Sequence, residues 1–468
     1  MRLYRRKKGF FYYFSRLLRL SVAAVVCWYA AETLLEKKIN TEKIYQESAF
    51  KNKKMNVQVK EIEYKNLKAY LFEEHSNPII AVDFLFRHTG YAYDKKGKFG
   101  LALLTAKMLT NGAGEYDETQ FASVLEENGI KMGFDVNVDD FGGSLVTTTA
   151  NADMAVNLLR KVLYEPKPSE DSLSLLKDKA LLALQRQKDH PQGELNLLYQ
   201  EKIYQEHPYS RNPLGEAEDI KRITIGDIEQ FIADNLTSDR LIVAIAGDVN
   251  ENEAVEMLKN MFADLPEQGL RQSLEKFEVK NDGNIVNAER KMPQSIAKIA
   301  ANGVYRDDKN FYPLYMANYI FGESGLTSRL SKNIREEKGL TYGVYTYLTI
   351  KDSAALIEGG YSVAPEHAKQ AADLFKAEWV KMGENGVTED ELRQAKNSLI
   401  ASINLRYADI DAVASVLLSM QKFNLGLDFL QKRNEYIENV TLNEVNNAAK
   451  IYYGSLPDFV TIGSSEEK

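Results

Sequence analysis

The chain has 468 residues, of which 44% are hydrophobic and 27% charged, and its net charge is −8. A soluble chain of this length and composition is expected to form two domains rather than one core. Residues 1–31 hold seven of the 59 basic residues and no acid, so the rest of the chain carries 52 basic and 67 acidic residues. This acidic body argues against nucleic acid as a partner, because phosphate binding needs a basic face.

The N-terminus has the pattern of a secretory signal peptide. Basic residues precede the apolar run Leu20–Ala31, which is shorter than a membrane-spanning helix needs to be. We therefore expect a signal peptide or an uncleaved membrane anchor at 1–31, a leader at 32–54, and export to the periplasm. The competing interpretation is a mitochondrial transit peptide, because the stretch is rich in arginine and free of acids. Cys27 is the only cysteine, so the body has no disulfide and no thiolate metal site.

In the first half of the chain after the N-terminal segment, the hydrophobic pattern predicts both strands and helices. Alternating hydrophobicity over Ile79–Phe86 predicts a strand, and the leucine-rich stretch that follows Gly100 predicts a helix. A second helix is expected to end near Gly129, because glycine readily takes the left-handed conformation at a helix C-terminus. The later elements are expected to be strands over Gly133–Ala150, a long helix with an acidic first turn over Ser169–Gln187, and a strand over Leu241–Ala246.

The second half repeats the first. Three pairs of segments match in the same order, at offsets of 210, 219 and 217: Glu126–Gly133 with Glu336–Gly343, Ser169–Leu173 with Thr388–Leu392, and Thr224–Ile228 with Thr441–Val445. The corresponding elements are strands over Gly343–Tyr361, a helix from Thr388 to about Leu405, and a late strand over Asp458–Ile462. Matches in one order at a nearly constant offset indicate an internal duplication.

These patterns predict an α+β fold of two tandem homologous domains, each an antiparallel sheet packed with helices. Helices come in pairs between runs of strands, whereas a parallel sheet would alternate single strands and helices. The expected boundaries are 55–265 for the N-terminal domain, 266–279 for a linker and 280–465 for the C-terminal domain.

The chain resembles the pitrilysin/insulinase superfamily, in particular its half-length bacterial and mitochondrial-processing-peptidase-like members. The resemblance covers about residues 55–465. Its short motifs stand in the family's order: Asn77–Asp83, Gly100–Gly112, His207–Gly215, Gly247–Val249 and Ser328–Tyr342.

The resemblance implies a zinc site whose ligands are missing here. The inverted motif His-x-x-Glu-His would place its histidines at Leu103 and Lys107 and its general base at Ala106. The third ligand, a glutamate on the long helix, would fall at Ala183. None of these four side chains coordinates zinc, so we expect no metal and no other cofactor on this chain. The five histidines lack a second histidine or cysteine at ligand spacing, which indicates surface or loop positions: His75, His88, His190, His207 and His367.

One functional pair of the family is retained. Arg335 and Tyr342 match an arginine and a tyrosine, seven residues apart, that contact substrate in the family and help to polarise the scissile carbonyl. A guanidinium and a phenol are suitable hydrogen-bond donors for a developing oxyanion. By spacing alone, Arg335 would be assigned to a solvated helix face. The equivalent positions in the first half are Leu125 and Met132, so the repeat itself does not require polar residues there.

The resemblance therefore predicts a metal-free subunit of a heterodimeric zinc metallopeptidase. A homologous partner would carry His-x-x-Glu-His and the zinc ion, and this chain would close a chamber around the peptide and present Arg335 and Tyr342. The chain alone would hydrolyse nothing. The alternatives are a structural subunit that cuts nothing and a peptide-binding module that adds a strand to a sheet edge within Gly133–Ala150.

Overall fold

The first half of the chain builds a six-stranded sheet. The computed structural model describes residues 58–270, 272–406 and 409–464, without the side chains of 403–406. Within these residues the first sheet has the order β1-β2-β6-β3-β5-β4. Its strands are β1 (Val59–Tyr64), β2 (Leu67–Glu73), β3 (Ile79–Phe86), β4 (Lys131–Val136), β5 (Phe141–Thr148) and β6 (Leu241–Gly247). β2 and β6 run parallel, and the other neighbours are antiparallel.

Helices cover one face of this sheet and extend beyond it. They are α1 (Leu101–Met108), α2 (Glu118–Glu127), α3 (Ala152–Tyr164), α4 (Glu170–Asp189), α5 (Pro191–Tyr204), α6 (Ala217–Arg222), α7 (Ile225–Asn235) and α8 (Glu251–Phe262). Alternate residues of β3, among them Ile80, Val82 and Phe84, point into the core between the sheet and these helices. Burial of this apolar surface supplies most of the free energy that holds the first half together.

The second half builds a five-stranded sheet in the order β7-β11-β8-β10-β9. The strands are β7 (Ile285–Glu289), β8 (Ser295–Asn302), β9 (Thr341–Ile350), β10 (Ala355–Val363) and β11 (Asp458–Gly463). The helices are α9 (Phe311–Asn318), α10 (Ala368–Asn385), α11 (Glu389–Arg406), α12 (Ile410–Lys422), α13 (Phe429–Glu438) and α14 (Leu442–Tyr452). Trp379 and Phe375 lie fully buried at the centre of this second core.

The observed elements confirm the α+β fold with antiparallel-dominated sheets and refine it in one respect. Each sheet also contains one parallel pair, which is β2 with β6 in the first and β7 with β11 in the second. These pairs form because the last strand of each half enters the sheet beside its earliest strands. The left-handed glycine expected after the second helix is confirmed at Gly129, with φ of 61°, and Gly339 has the same conformation, with φ of 64°, after the π-helical segment Ser331–Glu336 of the second half.

The two halves exchange equivalent helices. α5, from the first half, packs against β8 and β11 of the second sheet, whereas α12, from the second half, packs against β2, β3 and β6 of the first sheet. Pro191 and Ile410, the first residues of these helices, stand 219 residues apart, which equals one of the repeat offsets. Each half therefore covers a sheet face of the other, and the apolar contact between the halves is large.

The expected linker is packed rather than extended. In the described part of 266–279 there is no helix or strand, but Val279 is buried, and Leu274 and Phe277 contact the cluster that joins α5 to the second sheet. Both halves and this connecting segment belong to one compact unit. The domain boundaries at 55–265 and 280–465 stay predictions.

The expected N-terminal segments, 1–31 and 32–54, lie outside the described residues. In the part of the chain that is described, none of the helices has the length and apolar character needed to cross a membrane.

Candidate functional site

A buried carboxylate fixes the helix that carries three of the four metal-site positions. Gly100 precedes α1 with φ of 100°, a left-handed conformation that favours glycine. Asp94 accepts hydrogen bonds from the backbone N–H of Gly100 at 2.8 Å and of Ala102 at 3.1 Å. Burial raises the pKa of Asp94 to about 7, although these amide donors favour its charged form. The start of α1 is thus held in one place by its own loop.

The three positions on α1 have different surroundings, and none offers a ligand. Ala106 is buried in the first core, and Leu103 is half-buried. Lys107 is exposed, with its Nζ 3.9 Å from Oδ1 of Asp135. An ammonium group at this position repels a divalent cation, and the two apolar side chains have no lone pairs to donate.

The fourth position lies on a helix that contacts α1. α4 packs against α1, with Ala180 and Leu184 in the same apolar cluster as Leu104 and Met108. Ala183 is half-buried on α4. The fold therefore brings together the two helices that the resemblance assigns to the metal site, but the residues present do not fit zinc.

The histidines do not restore such a site. All five lie in loops or short 3₁₀ turns between the helices and strands, as interpreted from the sequence. His75 contacts Asp248 at 2.8 Å, and the nearest carboxylate to His88 is that of Asp352, at 3.1 Å. Among the described residues, no group of three histidine, cysteine, aspartate or glutamate side chains is placed to hold a metal ion.

Arg335 and Tyr342 lie on either side of one turn in the second half. Arg335 belongs to a π-helical segment, Ser331–Glu336, that packs against β9 through the buried Ile334. Tyr342 stands near the start of β9, and 87% of it is exposed. Within the described residues, neither side chain has a hydrogen bond or an ion pair. A π-helical turn is rare and occurs frequently at functional sites, although Tyr319–Glu323 forms a second such turn in this chain.

The repeat makes this arrangement informative. At the equivalent positions of the first half, Leu125 and Met132 pack against the first core. The matching positions of the second half, on a π-helical segment instead of an α-helix and near the start of a strand, hold a guanidinium and a phenol without partners among the described residues. Core packing accounts for Leu125 and Met132, whereas Arg335 and Tyr342 belong to no apolar cluster of the second half.

A buried ionic cluster joins the halves, and sequence reasoning missed it. Lys422 on α12 forms an ion pair with Asp140 and lies 3.4 Å from Oδ1 of Asp352. The neighbouring Asp139, which is 2% exposed, accepts hydrogen bonds from Tyr209 and from the backbone N–H of Asp352. Burial raises the pKa of Asp139. The adjacent acids Asp139 and Asp140 within a predicted strand region were the available signal, since neighbouring buried carboxylates need cations from elsewhere.

Comparison with known proteins finds similarity to M16 peptidase relatives. A model described as the peptidase M16 inactive domain matches residues 222–399. A non-peptidase homolog, YmxG, of Helicobacter pylori is 26% identical over 381 residues, which are 81% of this chain and 88% of that protein. An uncharacterised zinc protease of Mycobacterium leprae is 25% identical over 332 residues, covering 67% of this chain and 74% of its own length.

Solved structures agree with this comparison. The crystal structure of a peptidase M16 inactive domain from Pseudomonas fluorescens superposes with a TM-score of 0.82 at 26% identity, over 88% of this chain and all of that one. A protease from Helicobacter pylori gives a TM-score of 0.76 at 18% identity, over 87% of this chain and 99% of that chain, and shows the shared fold alone.

Proposed function

We propose, from the premise that this chain is an inactive member of the M16 peptidase family, that it is the substrate-contacting subunit of a two-chain zinc metallopeptidase. The partner is a homologous chain that carries the intact inverted motif and holds the zinc ion. This chain contributes a wall of the peptide-binding chamber together with Arg335 and Tyr342. The zinc site belongs entirely to the partner, so no step of the reaction runs through a metal on this chain.

The observation that carries the proposal is the contrast between the two halves. The metal positions Leu103, Ala106, Lys107 and Ala183 offer no ligand, whereas Arg335 and Tyr342 have no partners in the described structure. At the equivalent first-half positions apolar side chains pack on the core, whereas here a half-buried guanidinium and an exposed phenol keep their donors free for a ligand.

The chemistry of the pair suits this role. The guanidinium of Arg335 has five N–H donors in a fixed plane, and the hydroxyl of Tyr342 adds one O–H donor. Both groups would donate to the carbonyl oxygen of the peptide bond that the partner attacks. Donors placed in advance where negative charge develops stabilise the transition state more than the ground state.

Export to the periplasm belongs to the same proposal. It is supported by the basic and then apolar pattern of residues 1–31. An assembled peptidase of this kind would meet its peptides outside the cytoplasm, and an N-terminal anchor would hold it at the membrane surface.

Reconstitution tests the proposal. The full chain is mixed with a homologue from the same genome that retains His-x-x-Glu-His, and hydrolysis of a quenched fluorescent peptide library is followed. We expect no hydrolysis by this chain alone, hydrolysis by the mixture, and zinc only in the partner when each purified chain is measured by mass spectrometry. Stoichiometric zinc and peptide hydrolysis by this chain alone would refute it.

A second candidate function is peptide binding without cleavage. β4 forms one edge of the first sheet and pairs only with β5 among the described strands, so its outer edge can pair with an extended peptide. If the mixture binds peptides but hydrolyses none of them, peptide binding is favoured over the peptidase function.

A further inference from the structure

A shallow recess lies on the α4 face that includes Ala183. It has a volume of about 380 Å³ and is lined by side chains one and two helical turns apart: Lys179, Leu182, Ala183, Arg186, Gln187 and His190. Because α4 packs against α1, this recess occupies the part of the fold where the resemblance places the third zinc ligand. Since Ala183 cannot bind zinc, the side chains that line the recess determine which ligand it can bind.

The recess is lined by basic side chains, and no acidic side chain in its lining neutralises their charge. In the described structure, the side chains of Lys179, Arg186 and His190 form no hydrogen bond or ion pair, and no carboxylate lines the recess. The nearest acids along the helix, Asp178 and Asp189, lie on the adjoining side, where Asp189 accepts a hydrogen bond from Gln185. Basic side chains grouped around one recess without an acidic partner create a positive potential there, which favours an anionic ligand.

The recess also has an apolar surface between its charges. Leu182 lies between Lys179 and Arg186 on the helix, and half of it is exposed. Leu175, two turns earlier on the same face, is equally exposed. A free inorganic anion would leave these leucines in water, so a ligand that has both carboxylates and apolar groups fits better.

We propose that this recess binds an acidic segment of the peptide that enters the chamber. Lys179 and Arg186 are seven residues apart, which corresponds to about 10 Å along a helix. An extended peptide advances about 3.3 Å per residue, so carboxylates three residues apart span the same distance. The ligand is thus an extended segment with acidic residues at its first and fourth positions and apolar residues between them, which cover Leu182.

The charge of this face is the reverse of what a metal site requires. The identification of the ligand as a peptide in the chamber rests on the proposed function. The recess proposal adds the substrate class, because a chamber with this wall would prefer peptides that carry acidic residues beside the cleaved bond. Electrostatic attraction of this kind increases the association rate and specificity more than it increases affinity.

Binding to the full chain without any partner tests the recess. The probe is a rhodamine-labelled peptide, acetyl-Gly-Ser-Glu-Leu-Ala-Glu-Gly-Ser-Gly-Lys, whose dissociation constant is measured by fluorescence anisotropy in 20 mM and 300 mM salt. The reference peptide has glutamine in place of both glutamates. At low salt we expect the acidic peptide to bind at least tenfold more tightly than the reference, and to lose most of this advantage at high salt.

Two variants of α4 distinguish binding at the recess from a general effect of the protein's charge. Lys179→Glu reverses a charge in the recess, whereas Lys188→Glu makes the same charge change nine residues later, on the opposite side of α4. We expect K179E to weaken acidic-peptide binding at least tenfold and K188E to change it less than twofold, with circular dichroism showing that both variants fold. Equal weakening by the two variants, or equal affinity for the two peptides, overturns the proposal.

The outcome is independent of the peptidase assay. If the reconstituted mixture hydrolyses peptides while the lone chain shows no preference for the acidic probe, the recess proposal fails and the subunit proposal stands. If the lone chain prefers the acidic probe and no mixture is active, the subunit proposal fails and binding of acidic peptides at the recess stands.

Discussion

Arg87 and Asp352 connect the two halves of the chain. Nη2 of Arg87, directly after β3, donates a hydrogen bond of 3.0 Å to Oδ2 of Asp352, in the turn between β9 and β10. Burial alone would raise the pKa of Asp352, but His88, Lys422 and Arg87 lower it well below its usual range. The carboxylate therefore stays charged at neutral pH and serves as the shared partner of cations from both halves.

The first prediction concerns Lys422, the cation of this cluster on α12. Lys422→Met leaves Asp139 and Asp140 buried without their cation, and it should lower the free energy of unfolding by about 3–5 kcal/mol. The measurement is urea denaturation at pH 7. Lys432→Met is the matched control, since Lys432 pairs with Asp428 at the surface and its loss should leave stability nearly unchanged. Similar effects of the two substitutions would contradict a buried role for Lys422.

The exchanged helices predict that both halves unfold together. Leu417→Ala on α12 removes a fully buried side chain, and we expect a loss of about 2–5 kcal/mol. In a Trp28→Phe background Trp379, which lies in the second core, is the sole tryptophan, so its fluorescence reports the second half, whereas circular dichroism reports both. The two signals should give one coincident transition in this background with and without Leu417→Ala. Separate transitions would show that the helix exchange does not couple the halves.

An acid-dependent loss of stability is expected at Glu391. Burial would raise the pKa of Glu391, but hydrogen bonds from Arg329 and Thr388 lower it to about 2. The stabilisation is therefore complete above the usual glutamate pKa of about 4.3 and is lost as the pH falls from there towards 2. Glu391→Gln should cost about 1–3 kcal/mol at pH 7. The difference from the wild type should shrink steadily in urea titrations repeated down to pH 3, and a constant difference over this range would contradict the assignment.

Restoring the ligands tests the alignment of α1 with α4. A variant that combines Leu103→His, Lys107→His and Ala183→Glu recreates two imidazoles on one helix face and a carboxylate on the neighbouring helix. We expect it to bind one zinc ion per chain, measured by mass spectrometry after dialysis. A control variant with Leu103→His and Lys107→His and with Leu182→Glu in place of the change at Ala183 should bind zinc more weakly, because Leu182 faces the solvent. Equal zinc binding by both variants would show that Ala183 is not the third position.

Arg335 and Tyr342 are expected to act in the assembled enzyme. Arg335→Ala should reduce kcat/KM of the mixture by an amount equivalent to about 2–4 kcal/mol, and Tyr342→Phe should reduce it by a smaller amount, because each variant loses a donor to the scissile carbonyl. Tyr436→Phe removes the hydroxyl of another partly exposed tyrosine and should leave the rate unchanged. Unchanged turnover in both the Arg335 and the Tyr342 variant would exclude the role proposed for the pair.

Local patterns were sufficient for most elements of the fold. The alternation over Ile79–Phe86 matches β3 residue for residue, and the long helix expected from Ser169 begins at Glu170 with the Ser169 hydroxyl accepting the N–H of Ser172 at 3.1 Å. Such features depend on residues close together in the chain, so a single sequence determines them. The absence of zinc ligands at Leu103 and Lys107 was equally visible, because it is a matter of residue identity.

Only the tertiary structure decided which distant segments of the chain are in contact. Nothing near Lys422 in the sequence indicates that it neutralises Asp140, and the duplication predicts equivalent helices without predicting that α5 and α12 cover each other's sheets. The basic face of α4 was available from the spacing of Lys179, Arg186 and His190, but its lack of compensating acids depends on every neighbouring element. Periodicity and capping are local properties of the chain, whereas burial and charge pairing are sums over contacts that only the folded arrangement defines.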